Sequence, residues 1–334
     1  MISCLRAAGV EVVEDHVPVW EDVRDGWRAG PAEALRLATA EARLFMRRLP
    51  HADAVVVGYP GHFDLPAARH AARGRPVVFN PLVSLSDTLV GDRGRFRAGS
   101  LTARALERVD RSAFRSADLV VADTDAHADF LRQLTGRDDI AVCFVGAEDR
   151  LFRPGWTRVE PFRALFVGKL IPLQGVETIL EAARIATDVQ FRIVGSGQLD
   201  AVLAARPANV EHVPWIDYEQ LPGELRAAGC ALGIFGTTRK AQRVIPNKAF
   251  QALACGTPLV TADTPAAREL LVEGESALLV PPGDANELAR AVQRLADDAE
   301  LARRVGAGGR AAYERAASER VLGPRWRGLI EPLL

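Results

Sequence analysis

From about residue 52 the chain alternates short apolar, β-branched runs with longer amphipathic stretches, and that rhythm leaves few architectures open. A continuously apolar strand must be covered on both faces, and an amphipathic helix between two such strands supplies the cover. The pattern therefore predicts βα units and mostly parallel, buried sheets. Strands are expected at VEVV (10–13), AVVVG (54–58), PVVF (76–79), DLVVA (118–122) and AVCFV (141–145). A second set is expected at ALFVG (164–168), QFRIV (190–194), VEHV (210–213), CALGIF (230–235), PLVT (258–261) and ALLV (277–280).

Between the two sets, DRLFRPGWTRVEP (149–161) carries Pro154, Gly155 and Pro161 and no apolar alternation, as a linker does. A chain of 334 residues, 48% of them hydrophobic, has material for two cores. The expected division is 1–156, 157–317, and a broken terminal helix over 318–334 that packs back on the first domain near Trp326. Residues 281–316 read as two or three helices. The opening ISCLRAAGV is half an amphipathic helix, without the strand and glycine-rich turn that normally begin a doubly wound domain. Of two explanations, an upstream start and a domain lacking its first strand, the first is preferred, because losing a central parallel strand would expose the pairing groups of its neighbours.

A formal charge of -1 builds no long-range field for nucleic acid. Cys4, Cys143, Cys230 and Cys255 lie in or beside apolar runs with no CxxC spacing, which suits a reducing compartment. No apolar run approaches a membrane span and no targeting pattern opens the chain, so a cytoplasmic location is expected. Of 42 basic residues only Lys169, Lys240 and Lys248 are lysine. Lysine is a compact point charge where guanidinium is a flat fork, so lysines kept in an arginine-rich chain suit phosphate contacts; coding bias is the plainer alternative.

Three segments carry candidate chemistry. VGKLIPLQGVETILEAARIA (167–186) sets Lys169 at the end of a strand and Gly175 at the start of a helix, where backbone N–H groups favour an anion. The same residues also fit an ordinary strand–loop–helix connection. RIVGSGQLD (192–200) places Gly195, Ser196 and Gly197 after a strand, close enough for backbone to meet a ligand, or simply in a tight turn. The densest segment is 230–270. Arg239, Lys240, Arg243 and Lys248 fall within ten residues of a helix start with no acid among them, Pro246 suits the first turn, and Gly256 and Pro258 stop the helix.

The second half resembles the donor domain of the family-4 retaining nucleotide-sugar glycosyltransferases, through VGKLIPLQG, IVGSGQLD, VPWIDYEQLPGELRAAGCALGIF, IPNKAFQALACGTPLV and GESALLVPPGD in that order. The resemblance implies an α/β GT-B fold, two Rossmann-like parallel-sheet domains facing a cleft, and a metal-independent transferase without a cofactor. The nucleotide-sugar would be its substrate. It implies a catalytic electrostatic role for Lys169 and a donor site of Gln174, Gly175, Ser196, Gly197, Ile216, Lys240, Arg243, Pro246, Asn247, Lys248, Gln251 and Glu269. Gln174 stands where a lysine is usual in the family, Gln251 where the ribose-binding acid is usual, and Arg243 where many members have a glutamate. Lys240, Arg243 and Lys248 are expected to supply the charge missing at Gln174, and a glutamine carbonyl can still accept a ribose hydroxyl bond.

The first half resembles the family more loosely. SADLVVADTDAHADFL (116–131) offers Asp123, Thr124 or Asp125 as a helix cap. His62 and Asp64 follow one strand, with His62 a candidate polar group of the cleft or a solvated loop residue. Asn80, Ser84 and Asp87 follow another, where relatives carry a histidine. GDRGRFRAGSLTARALERVDRSAFR (91–115) holds seven arginines against three acids and reads either as a surface helix packed on its own sheet or as a peripheral contact with anionic lipid. The acceptor is a glycan, a lipid-linked sugar or a small molecule, and no nucleic acid is expected. The competing functions are a non-catalytic nucleotide-sugar binder and a sugar-nucleotide epimerase.

Overall fold

The computed structural model describes residues 1–17, 19, 31–47 and 51–334. Its N-terminal part contains α1 (Ile2–Ala7), α2 (Pro31–Met46), β1 (Val55–Val57), α3 (Leu65–Ala72), β2 (Val77–Phe79), α4 (Leu101–Ser116), β3 (Leu119–Ala122), α5 (Asp125–Thr135) and β4 (Ile140–Val142). The C-terminal part runs β5 (Arg163–Val167), α6 (Val176–Ile185), β6 (Gln190–Val194), β7 (Val210–Val213), α7 (Leu221–Arg226), β8 (Cys230–Leu232), α8 (Asn247–Cys255), β9 (Leu259–Ala262), α9 (Pro265–Arg268) and β10 (Leu278–Val280). It ends in α10 (Ala285–Asp297), α11 (Ala299–Ala316) and α12 (Glu319–Ile330).

The strands form two parallel sheets, in the orders β1-β2-β3-β4 and β10-β9-β8-β5-β6-β7. Each is buried on both faces, as the apolar runs require: Val77, Val78 and Phe79 are all at 0% exposure. The two faces of the larger sheet carry separate cores. Ile179, Leu180 and Val292 lie in one, and Phe250, Leu253 and Tyr313 in the other.

The segment VEVV (10–13) is not a strand, contrary to expectation. Val10 and Val12 instead pack beside Cys4, Leu5, Val78, Val121, Cys143, Leu322 and Trp326, so the apolar alternation there serves one-sided side-chain packing. Trp326 is 2% exposed in this cluster, and α12 lies so near α1 that a Cβ on Gly323 would stand 2.4 Å from the Cys4 carbonyl oxygen. Pro324 lies inside α12.

Helix starts follow local chemistry. Ser100 accepts from the Ala103 N–H, Thr124 from His127 and Asp284 from Glu287, each satisfying a donor the first turn leaves open. Thr124 is thus the cap among the three candidates at the head of α5. On α4, Ala103, Asp110, Ala113 and Phe114 face the domain's own interior, while Leu101 is 83% exposed.

One packing feature makes stability depend on pH. Burial, followed by a hydrogen bond with the Asp64 carboxyl, pushes Glu41 on α2 up to about 8 from its ordinary 4.5. Folding therefore takes up a proton between those values, and stability falls as pH rises through that interval. Glu41→Gln is expected to raise the melting temperature by a few degrees at pH 8 and to leave it unchanged at pH 4. Equal shifts at both would exclude this carboxyl as the cause.

Candidate functional site at the switch point of the larger sheet

In the six-stranded sheet the chain runs outward from β5 through β6 to β7, then returns to place β8 on the other side of β5. The loops leaving β5 and β8 therefore diverge, and open parallel sheets bind ligands in the crevice outside such a switch point, at the carboxyl ends of the strands. Lys169, the 170–175 loop and the 233–246 loop all lie there.

Glycines let these loops meet backbone to backbone. A Cβ on Gly195 would stand 2.0 Å from the Gly168 carbonyl oxygen, and one on Gly175 would stand 2.5 Å from the Phe235 carbonyl carbon. Both residues have positive φ, +136° and +69°. Gly195 and Gly197 thus serve the close approach of one loop to another. The Gly197 N–H donates to Asp200 Oδ1 at 2.6 Å and the exposed Ser196 accepts from Leu170 N at 3.1 Å, so this turn spends much of its hydrogen-bonding capacity on itself.

The cations divide into two groups. Lys169 is exposed and makes no hydrogen bond or ion pair among the described residues. Lys248 is buried behind it. Its Nζ donates to Gln174 Oε1 at 2.5 Å and lies 3.5 Å from the centre of the Phe166 ring, and burial holds its pKa well below the usual lysine value. Lys248 thus engages Gln174, the residue that stands where the family pattern has a lysine. Gln251 is 9% exposed, Ile216 is half-buried, and Pro246 and Asn247 begin α8.

Lys240, Arg243 and Glu269, expected on the donor, face the other domain. Lys240 Nζ donates to Thr88 Oγ1 at 2.8 Å, and Arg243 Nη1 donates to Asp87 Oδ2 at 3.2 Å with its guanidinium 3.9 Å from the Phe130 ring centre. Burial lowers the Lys240 pKa, against the opposing pull of Asp92 and Asp87. Glu269 accepts from the N–H groups of Asp125 and Ala126, both at 2.8 Å, and so completes the start of α5 across the seam. Such N–H groups hold a carboxylate at a helix start.

His62 is neither solvated nor at the cleft. It is 3% exposed, edge-on to Phe79 and Phe114, with Nδ1 2.5 Å from the Pro60 carbonyl oxygen and Nε2 3.2 Å from Asp110 Oδ1. Asp110 in turn accepts from Ser84 Oγ at 2.7 Å, Leu85 N at 2.8 Å and Ser86 N at 2.9 Å. Its pKa falls below the usual value because these bonds and His62 outweigh burial, the largest single influence and an opposing one. Asn80 donates to the Val121 carbonyl at 2.8 Å. Asn80 and Ser84 therefore belong to the domain interior, and only Asp87 of that trio reaches the seam. Thr88, Asp92 and Gln198, which sequence reasoning passed over, reach it as well; two acids five residues apart were the available signal.

Comparison with known proteins bears on the segment that lines this crevice. Residues 161–298 match the family model described as glycosyl transferases group 1. The chain is 27% identical over 250 residues to the alpha-D-kanosaminyltransferase of Streptomyces kanamyceticus, covering 72% of this chain and 56% of that protein, so it spans little more than half of that relative's length. Sucrose-phosphate synthase from Thermosynechococcus elongatus superposes with TM-score 0.72 at 19% identity over 92% of this chain and 82% of its own. Anabaena HepE in complex with UDP-glucose does so with TM-score 0.69 at 19% identity over 91% and 84%. At such identities the structural likeness speaks to fold, and the matched segment to descent. The segment 161–298 is thus similar to the group 1 glycosyl transferases, and the two parallel-sheet domains share the GT-B fold of the solved structures.

Proposed function

We propose that the chain transfers a glycosyl group from a nucleoside-diphosphate sugar to a hydroxyl acceptor, with the configuration of the sugar retained. The observation that carries this reading is Lys169, an exposed ammonium two residues past the end of β5 at the switch point, with no partner among the described residues and the start of α6 following in the same loop. A diphosphate there meets a full positive charge and the N–H groups of a helix start, which together offset the charge that develops on the leaving nucleotide. In this reading the protein's own cation does the work of a metal. The HepE structure with UDP-glucose supports a nucleotide-sugar as the donor class.

Thermal unfolding in EDTA-containing buffer with UDP-, GDP-, TDP- and ADP-sugars tests the donor. A ligand at 100 times its dissociation constant stabilises the folded state by about 2.7 kcal/mol, a rise of several degrees. One nucleotide class is expected to give that rise, and silence from all four would sink the reading.

A second reading, a nucleotide-sugar binder without turnover, is favoured by Gln174 and Gln251 and by the engagement of Lys240 and Arg243 across the seam. Donor hydrolysis or transfer in a product assay separates the two; product formed without acceptor would indicate an epimerase. For the acceptor we propose a glycan, a lipid-linked sugar or a small molecule. No described helix is long and apolar enough to cross a bilayer. Because the buried side of α4 faces its own core, any contact of 91–115 with anionic lipid would rest on arginines.

A further inference from the structure

Opposite charges meet where the two domains touch. Besides the Arg243–Asp87 and Lys240–Thr88 contacts, Thr238 Oγ1 donates to Asp92 Oδ1 at 3.3 Å and Gln198 Nε2 to the Arg93 carbonyl at 3.2 Å. The acids come from a π-helical turn, Asp87–Asp92, and the cations from the loop after β8. The turn is held rigidly at its start: the Asp87 N–H donates to Ser84 Oγ at 3.0 Å, and Ser84 and Ser86 are tied to buried Asp110. Asp87 is therefore presented from fixed backbone.

The closure is incomplete in its hydrogen bonding. The Asp92 side chain is 1% exposed, yet its Oδ2 has no hydrogen-bond partner among the described residues, and the same holds for Arg93 Nε and Nη1 and for Gln198 Oε1. Arg93 Nε stands 3.6 Å from Asp92 Oδ2, too far for a good bond. Buried polar atoms left without a protein partner each cost about as much as a lost hydrogen bond, and burying the ions costs more again. The seam is thus held by charge and weakened by the same charges, so a stronger oxyanion can displace them.

We propose that the Asp87–Asp92 turn is an internal competitor for the donor's diphosphate, filling the cation-bearing loop 237–243 when the domains close without ligand and yielding it when the nucleotide-sugar enters. The proposal rests on the functional reading above, which puts the diphosphate in this crevice. Carboxylate and phosphate oxygens seek the same Lys and Arg donors, so occupancy by one excludes the other. In the unliganded chain Lys169 stays open as the first landing point, and Lys240 and Arg243 are released to the ligand only as the acids leave.

The test compares the parent with Asp87→Asn, Asp92→Asn and the double variant, changes that remove charge and keep volume. Two quantities are measured: the radius of gyration by small-angle X-ray scattering, and the dissociation constants of UDP, GDP, TDP and ADP. The variants are expected to be more expanded without ligand and to bind the preferred nucleotide roughly tenfold more tightly, the size of effect that a close interdomain charge pair exerts. Inorganic pyrophosphate added to the parent should produce the same expansion, which tests the proposal even where a variant fails to fold. Unchanged dimensions, or expansion with unchanged nucleotide affinity, would overturn it. Expansion in the variants and with pyrophosphate, while no nucleotide binds to any protein, would keep the competitor and defeat the donor reading.

Discussion

Gly195→Ala is expected to destabilise the C-terminal domain by about 3–5 kcal/mol, at the far end of what single substitutions do. Its Cβ would meet the Gly168 carbonyl oxygen at 2.0 Å, and a backbone atom cannot rotate away as a flexible side chain can. The φ of +136° adds strain of its own for any L side chain. Gly256 supplies the control. It too has positive φ, +75°, but nothing stands within 4 Å of its added Cβ. Gly256→Ala should therefore cost only about 1 kcal/mol, the strain without the clash. Chemical denaturation of the two variants reads the difference. Comparable losses would mean that loop 195–197 can lift off loop 168–170 without consequence.

Lys169→Ala is expected to do the opposite, leaving stability within about 0.5 kcal/mol of the parent because the side chain is exposed, with no partner among the described residues. Nucleotide-diphosphate affinity should fall roughly tenfold to hundredfold, since a charge-assisted bond to a phosphate contributes about 1.5–3 kcal/mol. A larger loss in kcat/KM, on the order of hundredfold or more, is expected if the charge helps most as the diphosphate departs. Calorimetric titration and steady-state rates on one preparation check both. A variant that bound and turned over like the parent would remove Lys169 from the site and with it the main support for the proposed donor position.

Much of the architecture was legible because strand periodicity is local. Ten of the eleven expected strands form close to where the apolar runs lie, from Val55–Val57 to Leu278–Val280. The exception, VEVV at 10–13, sets Val10 and Val12 on one side, which packing on α12 and the smaller sheet satisfies as well as a ladder would. The site was legible only in part. A strand-end lysine and a glycine at a helix start are legible from neighbouring residues alone, and Lys169 does follow β5 and Gly175 does precede α6. His62 went astray because its surroundings are Asp110, Phe79 and Phe114, none of them near it in sequence.

The basic loop shows the same divide most sharply. Within residues 239–248 there is no acid, and by local rules the cations looked available to a ligand. The groups that meet Lys240 and Arg243 lie about 150 positions earlier, Thr88 separated from Lys240 by 152 residues and Asp87 from Arg243 by 156. Glu269 likewise meets α5 from 144 positions away. The sequence by itself determined the order of strands and helices, the two-sheet division and the switch-point loops, because hydrophobic period, capping and turn chemistry act over a few residues. Only the tertiary structure decided which cations stay open and which are already neutralised, because charge pairing and burial depend on distance in space, and folding brings residues far apart in the chain to within 3 or 4 Å of one another.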